Sequence, residues 1–269
     1  MARLKTTNTP DLRSLLIPQH AIMLAVEQAI LRGHKWSHAT AEHIAVRIAG
    51  AITMDLIHAG QRLLETDISE MLQVSRAPVR EALRILERER LVEFEARRGA
   101  VVTAPDADDL RNIYVVRGAL YQIMLRELMD RRPADLDALF QRRMAGLSKA
   151  VDEASVDAYT LQSFLLNLEM TELCANGLIV DLLISISLRT LRYVRLGLAA
   201  NPELLSGSLK TWRALQRAVQ KRDVDAVLET AQRRIDTSRD SAVRAIAPAA
   251  RPGRKVREPV PKGTPAAQA

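Results

Sequence analysis

Between Thr66 and Arg90 two short helical patterns are separated by only Gln73 and Val74, a link that leaves room for little but a tight helix-turn-helix. Ser75 is a residue type that caps a helix by accepting an orphan backbone N–H, and Pro78 falls in the first turn, where a missing donor is tolerated. The second helix is therefore expected from Ser75 to Arg88, after a first from Thr66 to Leu72. On it Val79, Ala82, Leu83 and Leu86 recur at i, i+3, i+4 and i+7, a stripe that docks on the rest of its domain. Arg76, Arg80 and Arg84 stand four apart on a neighbouring face. An arginine row that begins in the first turn suits the major groove, where guanidinium pairs bidentately with guanine O6 and N7. The alternative is a solvated surface on which the same arginines pair with Glu81, Glu87 and Glu95.

From Leu91 to Thr103 the period changes from helical to alternating, which predicts a β-hairpin turned by Arg97, Arg98 and Gly99. Two cations beside a glycine make a tip able to approach phosphate or the minor groove. Upstream, a helix is expected from Thr40 to Ile57, with His58, Ala59 and Gly60 ending it, and one extra helix from Pro18 to Leu31. Pro105 and Asp106 mark a domain boundary. Beyond it the sequence is helical in six runs, Asp106 to Arg131, Ala134 to Glu153, Val156 to Ala175, Leu178 to Ala199, Glu203 to Arg222 and Asp223 to Ile246. From Ala247 onward, proline, alanine, glycine and basic residues read as a disordered tail.

The expected fold is thus mainly α. Residues 1–37 form an extension with one helix, 38–105 a winged helix-turn-helix, 106–246 an all-helical bundle of about six helices and 247–269 the tail. Composition agrees, because 48% of residues are hydrophobic but only 3% aromatic, so Leu, Ile, Val, Ala and Met must build the core. The net charge of +7 is not evidence for nucleic acid, since the first forty residues net +3, the tail +4, and residues 41–250 sum to zero. Position, not bulk charge, carries the DNA reading. The single Cys174 can form no internal disulfide and lies in an apolar stretch, which suits a buried, inert thiol in a reducing cytosol. Met1 to Arg13 lacks the apolar run of a signal peptide and no stretch is long enough to span a bilayer, so the expected location is the cytoplasm.

The residues Leu64, Glu65, then Val74, Ser75, Arg76, Ala77, Pro78, Val79, Arg80, Glu81, Ala82 and Leu83, followed by Leu91, Val92 and the Arg98–Gly99 hairpin, resemble the GntR family of bacterial transcriptional regulators. The helical remainder resembles the C-terminal domain called FCD of its FadR-type members. The resemblance implies DNA contacts from Ser75, Arg76, Ala77 and Arg80 and from Arg98 and Gly99 of the wing. Thr66 stands where the family often has arginine, so one operator contact is expected to be absent or replaced. It also implies a palindromic operator, a homodimer and, as the commoner mode, repression.

Many FCD domains resemble one another in a metal site built from an Asp and a His four residues apart and two further His on the last two helices. Anchored on Asn176 and Asp223, those positions fall on Ser163, Asn167, Trp212 and Arg234, none a ligand of that kind, and all five histidines of the chain lie at or before position 58. No metal and no other cofactor is therefore expected. A buried Arg234 would need an anion or an internal acid. One reading makes Arg117, Ser163, Asn167, Trp212 and Arg234 a metal-free pocket for a small organic acid or acyl compound. The other lets Arg234 snorkel to solvent while Trp212 fills the space of a purely structural domain.

No Ser/His/Asp set, glycine-rich phosphate loop or paired cysteines are present, and Glu169 and Glu172 on one helix read as surface residues, so an enzyme is not expected. The remaining rival is an effector-independent or architectural DNA-binding protein.

Overall fold

The computed structural model describes residues 12, 15, 21–31, 39–96 and 99–246. Among them are ten helices and one small antiparallel sheet, in the order α1 (Ala21–Leu31), α2 (Ala39–Thr53), β1 (Arg62–Leu63), α3 (Glu65–Leu72), α4 (Arg76–Arg88), β2 (Val92–Glu95), β3 (Gly99–Val102), α5 (Ala107–Arg131), α6 (Pro133–Asp152), α7 (Val156–Glu172), α8 (Gly177–Ala200), α9 (Leu204–Gln220) and α10 (Val224–Ile246).

The helix-turn-helix forms as its spacing predicts. Gln73 adopts the left-handed conformation at φ 53°, which lets its N–H and that of Val74 close the end of α3 and turn the chain within two residues. Val79, Ala82, Leu83 and Leu86 are fully buried and hold α4 against α2. Ser75 occupies the cap position in extended conformation, but its hydroxyl makes no capping bond, which corrects the role expected of it. The hairpin has the register Val92 to Val102 and Glu95 to Gly99, with Gly99 at φ +74°. Arg97 and Arg98 lie outside the described residues, as do the expected start of α1 at Pro18 and the tail.

Two other expectations are corrected. The helix from Thr40 ends at Thr53, not Ile57, because Asp55 takes a left-handed φ of 59° and the Leu56 and Ile57 amides fold back to the carbonyl of Ala51. Leu56 continues the four-residue apolar spacing of Ile44, Ile48 and Ile52 but is exposed, and the turn buries Ile57 instead. Strand β1, two residues pairing with β3 to give the order β1-β3-β2, is too short to show alternation and was not anticipated.

Six helices follow, starting from α5, whose Asp106 accepts from the Asp108 and Asp109 amides while Asp109 accepts from Asp106 in return. Pro133 occupies the first turn of α6, and Asn176 caps α8. The run from Val156 ends at Glu172, three residues earlier than expected. Helix α10 packs on α5, α8 and α9, and α7 packs on α6 and α8. The extra helix α1 lies against α2 of the winged unit and also against α7 and α8.

Candidate nucleic-acid interface and ligand cavity

The amino end of α4 projects from the winged unit with Ser75, Arg76, Ala77, Arg80 and Arg84 exposed. A helix N-terminus presents unpaired N–H groups and the positive end of its dipole, which favours phosphate. Arg76 has no hydrogen bond or ion pair among the described residues and points freely from the first turn. Arg80 is oriented by Glu65, donating from Nε to Oε1 at 3.0 Å and from Nη2 to Oε2 at 2.9 Å. The Arg80 hydrogen bond, and then the charges of Arg80, Arg76 and Arg84, hold the Glu65 carboxyl below its usual range against a desolvation that pushes the other way. Arg84 pairs with Glu87 at 2.7 Å and lies 4.4 Å over the Phe94 ring of β2. Part of the expected arginine row thus does engage acids, one of them the Glu87 anticipated for a solvated surface. These are exposed pairs, which exchange readily for another anion. Thr66 is half-buried and donates to Asp67 at 2.9 Å.

Sequence reasoning quoted Glu65 without a role and missed Phe94. Glu65 is the first residue of α3 and lies fifteen residues before Arg80, so its pairing depends on how α3 and α4 cross, which periodicity does not report.

In the helical unit the five residues singled out for a pocket, Arg117, Ser163, Asn167, Trp212 and Arg234, all line one cavity of about 70 Å³. They arrive from four helices, α5, α7, α9 and α10. Arg117 is 8% exposed and donates from Nη1 to the hydroxyl of Thr190 on α8 at 2.9 Å. Arg234 turns inward rather than snorkelling. Its guanidinium carbon lies 3.3 Å from the Trp212 ring centroid, and Nη1 donates to the Ser208 carbonyl at 3.1 Å and the Thr211 hydroxyl at 2.6 Å. Burial pushes its pKa down to about 10, Tyr159 and Tyr121 oppose that shift, and the charge of Arg117 adds to it.

No Asp or Glu lines this cavity. Several buried polar atoms also lack partners, namely Arg117 Nε, Trp212 Nε1 and the Thr160 hydroxyl. The Asn167 amide donates to the Ser163 carbonyl at 2.7 Å and its oxygen accepts from Tyr121. Two cations, an indole N–H and a committed amide do not fit a divalent metal, whose ligands must be lone-pair donors. They fit an acceptor-rich anion. Tyr114 and Tyr121 flank Arg117 at i−3 and i+4, a spacing that was available in the sequence, and their ring centroids lie 5.8 and 5.6 Å from its guanidinium carbon. Burial raises the pKa of both phenols.

Elsewhere, the Cys174 thiol is buried and donates to Glu127 at 3.3 Å, and burial raises its pKa, as expected of an inert thiol. Glu169 pairs with Arg142 and Arg143, which occupies it structurally. A pair of contacts that the sequence did not suggest joins the two units. On α8, Arg192 binds the Asp55 carboxylate, and Arg195 binds Asp157 at 2.7 Å and the Met54 carbonyl at 3.2 Å.

A winged helix-turn-helix followed by this helical bundle is the architecture of a bacterial transcriptional regulator. The model for bacterial regulatory proteins of the gntR family matches residues 40–102, and that for the FCD domain matches residues 112–237. The chain belongs to the GntR family of bacterial regulatory proteins, with an FCD C-terminal domain.

It is 30% identical over 98 residues to the HTH-type transcriptional regulator YdhC of Bacillus subtilis, 36% of this chain and 44% of that one. It is 30% identical over 133 residues to the gluconate operon transcriptional repressor of Bacillus licheniformis, 47% of this chain and 54% of that one. The matches thus span about half the length of these relatives. Among solved structures, a GntR transcriptional regulator from Rhodococcus sp. RHA1 superposes with a TM-score of 0.60 at 22% identity, over 76% of this chain and 96% of that one. E. coli McbR/YncC gives 0.59 at 18% identity, over 81% and 95%. These likenesses establish the fold. No helix among the described residues is long and apolar enough to cross a membrane.

Proposed function

We propose that the protein is a repressor that binds a palindromic operator as a homodimer and is modulated by a small organic acid in the metal-free cavity of its FCD domain. The observation that carries the effector half is the pair Arg117, buried, and Arg234, half-buried and turned inward, in a cavity lined by no carboxylate. An uncompensated buried guanidinium is costly, and an anion that enters this space recovers that cost as binding energy.

The DNA half rests on Arg76 and Arg80, exposed at the open end of α4 with Ser75 and Ala77 beside them, positions suited to phosphate and base contact. Arg84 extends the row, Thr66 stands on the neighbouring helix, and Gly99 opens the strand β3 of the wing, preceded in the sequence by Arg97 and Arg98. A dimer presents two such helices to two half-sites, and α5 leaves Val115, Val116 and Ile123 more than half exposed as apolar surface for a second copy.

Operator selection from random DNA tests this reading, with light scattering to give the mass in solution. An enriched palindrome bound by a dimer is expected. Salt-dependent binding without sequence preference would favour an architectural protein instead.

A further inference from the structure

We propose that the ligand of this cavity is a small dicarboxylate, one carboxylate held by Arg117 and the other by Arg234. The inference deepens the anion-pocket reading and rests on it. A monocarboxylate would neutralise one guanidinium and leave its neighbour uncompensated, although the two charges already repel each other. Donor count points the same way. Arg117 Nε and Trp212 Nε1 are buried without acceptors, and both recorded bonds of Arg234 leave from Nη1, so most of its fork is uncommitted. Ionised carboxylates are pure acceptors with about four lone-pair sites each.

Anchoring separates the two cations. Arg117 comes from α5 and is tied to Thr190 of α8, whereas Arg234 comes from α10 and is stacked on Trp212 of α9 and tied to Ser208 and Thr211. Tyr121 feels both charges. Each guanidinium thus keeps its own anchors, and a short chain with a carboxylate at each end can meet one cation at each of them. The cavity of about 70 Å³ limits that chain to a few carbons, on a scale where one water occupies about 10–15 Å³.

Titration calorimetry on the full chain at fixed ionic strength, with the dicarboxylates from malonate to adipate, with butyrate and with inorganic phosphate, tests the proposal. At least one dicarboxylate should bind about 30-fold more tightly than butyrate, the worth of one charge-assisted pair of about 2 kcal/mol. In Arg117→Gln that preference should shrink to about threefold or less, because the second carboxylate then meets a neutral amide. If that variant does not fold, the selectivity of the unaltered protein decides alone. Equal binding of butyrate and every dicarboxylate, or tighter binding of phosphate than of any of them, would overturn the dicarboxylate and leave the anion pocket standing. Binding of none of these anions would overturn both.

Discussion

Arginines on α4 and arginines in the cavity carry the same charge in opposite settings. Arg80 and Arg84 stand in water with Glu65 and Glu87 as partners, and those partners orient them without committing them. Arg117 and Arg234 are withdrawn from water with hydroxyls, a carbonyl and aromatic faces around them but no acid. On the proposed reading the exposed charges exchange their acids for the phosphates of DNA, whose own field supplies the energy. Inner charges are held at a standing cost that only a fitting anion relieves. Arg192 makes a third case, an inner arginine that does have its acid, Asp55.

The comparison breaks if the outer arginines prove dispensable, so their loss carries the largest expected effect. Changing Arg76 and Arg80 together to Ala should weaken operator binding by about 10²–10³-fold, from two base contacts at about 1–3 kcal/mol each, with the helical circular dichroism retained. Fluorescence anisotropy on the selected operator measures it. The inner arginines should differ in sign. Arg192→Met leaves Asp55, a quarter exposed, with only the exposed His58 beside it, and should cost about 2 kcal/mol or about 4–8 °C of Tm. Arg234→Met removes a cation that has no acid and should raise Tm by about 2–4 °C while abolishing any shift produced by an added dicarboxylate. Calorimetric melts of the two variants side by side give the contrast, and a fall in Tm for Arg234→Met would refute it.

Two smaller effects sharpen the outer case. Arg84→Ala loses one exposed pair and a ring contact and should change stability by less than about 1 kcal/mol, read from a urea midpoint. Glu65 has a depressed carboxyl, so its pairing with Arg80 is complete above the ordinary glutamate range and is lost as pH falls through the lower, folded value. An NMR titration should place its midpoint below that of a model glutamate, and Arg80→Ala should move it back.

Helix existence was legible throughout, because apolar spacing and the stops at Pro133, Asn176 and Pro202 report on local chain chemistry. The end of α2 was not, since Leu56 keeps the four-residue spacing of Ile44, Ile48 and Ile52 past the turn at Asp55 although it is exposed. The convergence of Ser163, Asn167, Trp212 and Arg234 came through the resemblance that aligns them with a metal site, and Arg117 joined them as a second cation for an anion. Thr190, the bond from Tyr121 to Asn167 and the Glu65–Arg80 fork depend on how helices distant in sequence cross, and no single-segment pattern carries that information.

Helix α8 gives Thr190, Leu191 and Val194 to the cavity wall and, from adjacent positions, Arg192 and Arg195 to the turn that follows α2. Unfolding either unit therefore strips the other of interactions that its own residues cannot replace: a melted winged unit leaves Arg192 buried without its acid, and a melted bundle leaves Asp55 and the Met54 carbonyl unanswered. The two units should lose structure as one cooperative block, with a single heat-absorption peak in which neither can be assigned a melting temperature of its own.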